Sequence, residues 1–114
     1  MHELSIVASL FEILEEKARE NGAKKVILVK LQVGKLAGVV PEFLETAFDA
    51  YKEGTLAAEA ELKIEEIPLT IKCQKCGAEF ASENYVFSCP SCRSTELKIL
   101  AGTELLLEKI ELEV

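Results

Sequence analysis

The chain of 114 residues is long enough for one compact core with a small attached module, and no more. Nearly half of it is apolar, but tryptophan is absent and aromatics are few, so the core has to be built from Leu, Ile, Val and Ala. Twenty acids against thirteen bases leave a formal charge of −7, which argues against nucleic acid, whose backbone is held chiefly by Lys and Arg, and suits a cation or a basic protein surface.

From Leu4 the apolar residues Leu4, Val7, Phe11, Leu14 and Ala18 recur at steps of three and four, with Glu12, Glu15, Glu16, Arg19 and Glu20 on the other side. This predicts an amphipathic helix closed by Asn21 and Gly22. The run SIVASLF inside it is too short to span a bilayer and leads straight into the glutamates, so no membrane segment or signal peptide is expected. The chain therefore reads as cytoplasmic. Next, KKVILVKLQVG alternates, with Ile27, Val29, Leu31 and Val33 on one face and Lys30 and Gln32 on the other, which predicts a strand. Gly34 and Gly38 bracket a loop. Pro41 opens a second helix, Leu44, Ala47, Phe48 and Tyr51 form its apolar stripe, and Gly54 ends it.

The stretch AELKIEEIPLTIKC alternates at Leu62 and Ile64, slips by one residue at Glu65 and Glu66, and resumes at Ile67, Leu69 and Ile71, so a bulge or bend is expected at the glutamates. The cysteine segment follows. After Gly102, TELLLEKIELEV is another strand candidate, with Leu106, Ile110, Leu112 and Val114 on one face. The order of elements predicts an α+β fold: a small three-stranded sheet covered by two helices, with an inserted zinc-ribbon module. The expected boundaries are residues 1–68 plus 102–114 for the α+β domain and 69–101 for the insertion.

Cys73, Cys76, Cys89 and Cys92 form two CxxC pairs separated by twelve residues. Two residues between thiolates let one tight knuckle present both sulfurs to one cation, and two knuckles complete a tetrahedron. Gly77 supplies a left-handed turn after the first pair and Pro90 stiffens the second. Structural zinc is the reading these pairs favour, with iron–sulfur chemistry or a rubredoxin-like iron as alternatives. A redox CxxC normally stands alone at a helix start in a βαβ setting, which is missing here. Four sulfurs fill the coordination shell, so such a site is structural and not hydrolytic. Phe80, Tyr85 and Phe87 between the knuckles read as the module's small core, with base stacking as the less favoured use beside Glu79 and Glu83.

The only histidine, His2, adjoins the chain start. The Met1 amine, a deprotonated His2 backbone nitrogen and the His2 imidazole can close two fused chelate rings in one plane. Planar nitrogen donors suit Ni(II) or Cu(II), whereas Zn(II) has no such preference. A fourth donor could be Glu3, water or a partner's ligand. Taken alone, a histidine after the initiator methionine is more simply an idle surface group.

The MHELSI start, the amphipathic first helix, KCQKCG with CPSC beyond it, and the closing GTELLLEKIELEV together resemble the HypA/HybF family of hydrogenase nickel-insertion proteins. The resemblance runs the whole length. It implies a nickel metallochaperone that delivers Ni(II) to the precursor of the [NiFe]-hydrogenase large subunit together with a maturation GTPase. By motif match, nickel is expected at Met1, His2 and Glu3, and zinc at Cys73, Cys76, Cys89 and Cys92. Some members carry histidines beside the zinc cysteines; this chain has none. No second histidine, nucleophile elbow or Gly-rich phosphate loop is present, so no enzymatic activity is expected. The competing expectation is a zinc-ribbon module for protein or nucleic-acid interaction without nickel.

Overall fold

A computed structural model of the chain describes residues 3–82 and 86–114. Helix α1 spans Glu3–Glu20 and buries Val7, Leu10, Phe11, Leu14 and Ala18. Its end is closed by two crossed backbone bonds: the Ala23 N–H donates to Ala18 O at 2.8 Å and the Gly22 N–H to Arg19 O at 3.3 Å. Gly22 takes φ 63, the left-handed conformation this cap requires. Leu4, expected in the apolar stripe, is 58% exposed, and Leu10 is buried in its stead.

Strand β1, Lys25–Gly34, is the centre of a three-stranded sheet of order β2-β1-β6. Helix α2, Pro41–Tyr51, crosses back from β1 to β2, Glu61–Ile67, which pairs with β1 in parallel. The last strand, β6, Leu105–Glu113, pairs with β1 antiparallel. Both helices contribute to one core: Phe11 of α1 meets Phe48 and Tyr51 of α2 with ring centroids 5.4 and 4.8 Å apart. Val26, Val29, Leu31 and Val33 of β1 close it from below.

Two bulges correct the expected strand faces. Between Val26 and Leu28 the β1–β6 register shifts, so Ile27 is the extra residue and turns outward, 46% exposed, while Val26 takes its place in the core. On β6 the register shifts between Lys109 and Leu107, leaving Glu108 as the extra residue. The inward residues are therefore Leu105, Leu107, Ile110 and Leu112. Leu106 is 54% and Val114 83% exposed. Glu108 reaches Lys30 at 3.3 Å.

The slip expected at Glu65 and Glu66 takes another form. β2 stays in register with β1 through both glutamates to Ile67. The chain then leaves at Pro68 and Leu69 for a second three-stranded sheet of order β4-β3-β5. Its strands are β3, Thr70–Cys73, β4, Glu79–Ala81, and β5, Leu97–Ala101. The molecule is long, 55 × 24 × 17 Å, with a Cα radius of gyration of 17.8 Å. A compact domain of this length would have about 13 Å.

Candidate metal centre

Each CxxC pair sits on a tight turn, and the two turns have the same hydrogen-bond plan. The Gly77 N–H donates to Cys73 O at 2.9 Å, and the Arg93 N–H to Cys89 O at 2.7 Å. Each first cysteine answers further along: Cys73 N–H to Ala78 O at 2.8 Å, Cys89 N–H to Ser94 O at 2.9 Å. In both turns the residue after the second cysteine is left-handed, Gly77 with φ 79 and Arg93 with φ 62. Arg93 is the one non-glycine residue with positive φ among the described residues. Aligning the two pairs in the sequence puts Arg93 opposite Gly77, so this position was discoverable without coordinates.

The turns meet face to face. All four Sγ atoms lie within 4.8 Å of one another, with Cys73–Cys92 at 3.6 Å and Cys76–Cys89 at 3.5 Å, both pairs bridging between knuckles. No disulfide forms among them. A zinc ion bound tetrahedrally at about 2.3 Å from each sulfur sets its ligands roughly 3.8 Å apart, so this donor set fits such an ion. Cys73 and Cys89 are buried, while Cys76 and Cys92 are exposed.

The same pattern governs the protons. The Cys76 backbone N–H, 3.5 Å from the Cys73 sulfur, holds that thiol below its usual range. The Cys92 backbone amide does the same for Cys89, bringing it to about 6. At Cys76 the Ala78 amide favours the thiolate, but the Cys89 sulfur and desolvation outweigh it and the thiol is raised. The Ser94 amide acts likewise on Cys92, yet desolvation and the three other sulfurs push that thiol up to about 12. Four thiolates this close repel one another, and a divalent cation among them lets all four ionise.

Around this centre Leu69, Ile71 and Ser82 are buried. Ser82 both donates to Val86 O at 3.1 Å and accepts from the Val86 N–H at 3.0 Å. Phe80 sits opposite Ile71 across β3–β4 but is only half-buried, short of the interior position expected for it. Phe87, expected beside it, is 46% exposed, and Tyr85 lies outside the described residues. Of the proposed chain-start ligands, Met1 and His2 also lie outside them, and Glu3 is the first residue of α1. No described helix is long and apolar enough to cross a membrane.

Fold and centre define a small α+β metal-binding protein organised around four cysteines. A family model described as hydrogenase/urease nickel incorporation, metallochaperone, HypA, matches residues 1–112. The chain is 47% identical over 114 residues to the hydrogenase maturation factor HypA of Aquifex aeolicus, spanning 100% of this chain and 99% of that protein. It is 41% identical over 113 residues to HypA of Desulfitobacterium hafniense, spanning 99% of each. The solution structure of the nickel metallochaperone HypA from Helicobacter pylori superposes with a TM-score of 0.67 at 29% identity, covering 99% of this chain and 98% of that one. A second HypA solution structure gives a TM-score of 0.72 at 28% identity, covering 98% and 96%. The chain belongs to the HypA family of nickel-incorporation metallochaperones for hydrogenase maturation.

Proposed function

We propose that this chain carries one Ni(II) at its start and hands it to the precursor of a [NiFe]-hydrogenase large subunit, working with a maturation GTPase. The whole-length family match carries this reading. The Met1 amine and the backbone and imidazole nitrogens of His2 supply the planar donors, with Glu3 beside them at the head of α1. Three donors on a chain end make an exchangeable site, which suits cargo. Cys73, Cys76, Cys89 and Cys92 hold a resident zinc whose closed shell leaves no place for substrate. Residues 1–68 with 102–114 form the nickel-carrying domain and 69–101 the inserted zinc domain. The protein acts in the cytoplasm, where free thiols are kept reduced, and is not an enzyme.

The test is nickel titration of the zinc-loaded protein, read by the visible absorbance of square-planar Ni(II). One equivalent should bind, and His2→Ala or an uncleaved N-terminal extension should abolish that band while zinc stays at one per chain. Specific binding that survives both changes would place the cargo elsewhere and overturn the assignment.

A further inference from the structure

Two stretches of chain join the sheets: Ile67, Pro68 and Leu69 going out, and Ala101, Gly102 and Thr103 coming back. Proline and glycine at such a crossing ordinarily suggest a hinge. The contacts say otherwise. Leu69 is fully buried, and a Cβ on Gly102 would stand 2.8 Å from its Cα and 3.2 Å from Pro68 O. On the other side, a Cβ on Gly34 would overlap the carbonyl carbon and oxygen of Gly102 and lie 2.7 Å from Thr103 N. Three backbones are thus stacked, Leu69 on Gly102 on Gly34, with the Leu69 Cδ1 3.3 Å from the same Gly102 Cβ position. Gly34 lies outside the positive-φ set, so close approach alone accounts for a glycine there.

Hydrogen bonds close the stack from both directions. The end of β1 ties down both crossing stretches: Gly34 N–H donates to Glu104 O at 2.7 Å, Lys35 N–H to Ile67 O at 3.1 Å, and Leu36 N–H to Gly102 O at 2.7 Å. The Glu104 carboxylate accepts from the Gly102 N–H at 2.6 Å. On the far side, Thr70 pairs with both Ala81 and Ala101, and the Ser82 N–H donates to Leu69 O at 3.0 Å. Bending one sheet against the other would have to part several of these bonds together and open a contact that has no slack.

We infer that the Leu69–Gly102–Gly34 stack is a lock, and that the two sheets turn in solution as one rigid body. α1 returns into β1 through a short connection, and Ser5 and Ile6 of its first turn line one cavity with Leu31 of β1 and Leu105 of β6, which puts the head of α1 at the end of the core where β1 finishes. The head of α1 and the four-cysteine centre are therefore held in a fixed relation. A partner that engages one meets the other at a set distance and angle. The inference concerns the backbone alone and stands whether or not nickel binds at Met1 and His2.

Amide 15N relaxation of the zinc-loaded, full-length protein tests it. In the unsubstituted protein, amides of β1, β2 and β6 and those of β3, β4 and β5 should fit one elongated diffusion tensor, consistent with a body of 55 × 24 × 17 Å. Separate tensors for the two sheets would overturn the inference. Gly34→Ala should split the fit into two tensors with zinc still bound, whereas Gly54→Ala, at a glycine with nothing within 4 Å of its Cβ position, should not. If Gly34→Ala does not fold, Glu104→Ala removes the acceptor for the Gly102 N–H without adding bulk. Residual dipolar couplings should then show a lower degree of common alignment between the sheets. A single tensor persisting in Gly34→Ala, or couplings unchanged in Glu104→Ala, would show that these contacts do not lock the joint.

Discussion

The two cysteine turns share a left-handed position that one fills with glycine and the other with arginine, and exchanging those residues has a calculable effect. A non-glycine residue in the left-handed region costs about 1–2 kcal/mol. Substituting glycine loses part of that gain, because glycine raises the entropy of the unfolded chain by about 0.4–1 kcal/mol. Arg93→Gly should thus stabilise the folded module by about 0.5–1 kcal/mol. The Arg93 side chain makes no hydrogen bond or ion pair among the described residues that would be lost. Gly77→Ala should cost a similar amount for conformational reasons alone, since a Cβ there meets nothing within 4 Å. Because metal binding and folding of so small a module are one equilibrium, the effect appears in zinc affinity. Competition against a chromophoric chelator at neutral pH should show Arg93→Gly binding zinc roughly two- to five-fold more tightly, and Gly77→Ala more weakly by about the same factor. If Arg93→Gly is neutral or weaker while Gly77→Ala is tolerated, the two turns are not the conformational equivalents that their φ values indicate.

Four further outcomes are expected. The N-cap of α2 is Val40, which is 43% exposed and offers no side-chain cap, so Val40→Asp should stabilise the protein by about 1 kcal/mol; an unchanged thermal midpoint would refute the cap assignment. Leu106→Lys should change stability by less than about 0.5 kcal/mol, whereas Leu107→Lys should cost several times more, and similar denaturation midpoints for the two would show that the Glu108 bulge is absent. Removing zinc with a chelator should release hydrogen-exchange protection over residues 70–101 before any loss in α1 or β1, and simultaneous loss would contradict a separately stapled insertion. Zinc uptake at pH 7 should release at least two protons, because Cys92 is held up to about 12 and Cys76 is also raised, so both are protonated before the ion arrives. If the metal-free module unfolds, all four thiols revert to about 8.5 and the release rises toward four. Zinc affinity accordingly falls on acidification, and calorimetry in buffers of different ionisation enthalpy would refute this with a count below two.

The two helices and the strands of the first sheet were legible in the sequence because hydrophobic periodicity is a local property, whereas β4 and β5, three and five residues long, were not. Helices α1 and α2 and strand β1 lie where the pattern places them, although Leu4, Ile27 and Tyr51 are exposed rather than on the buried face, and the sheet of three strands under two helices follows from their order. What a period of two does not carry is where it breaks. Ile27 and Glu108 are bulges defined by pairing between β1 and β6, which are far apart in the chain, and neither residue is marked as one in its own strand. The leucines from Leu105 to Leu107 offer no polar residue to fix which of them faces inward. The paired glutamates at 65 and 66 did signal a change of face, but parallel pairing with β1 holds the strand in register past them, and the bend falls at Pro68 where the amide donor is lost.

The four-cysteine centre was legible for a different reason: its chemistry is written in spacing, and sulfur atoms three residues apart have few other uses in pairs. Its surroundings were less so. Phe87 was assigned to the module's interior on residue type, yet among the described residues of this part of the chain only Leu69, Ile71, Ser82, Cys73 and Cys89 are buried. So small an apolar interior places the burden of folding on the metal, and this explains why the expensive left-handed arginine and the exposed aromatic are both tolerated there. The lock at Gly34 and Gly102 shows the opposite economy. A pair of glycines far apart in the sequence reads as two loop residues, and only their contact reveals that the absence of side chains brings three backbones together. Rigidity at this joint comes from atoms that are missing, which no pattern of hydrophobic or charged residues records.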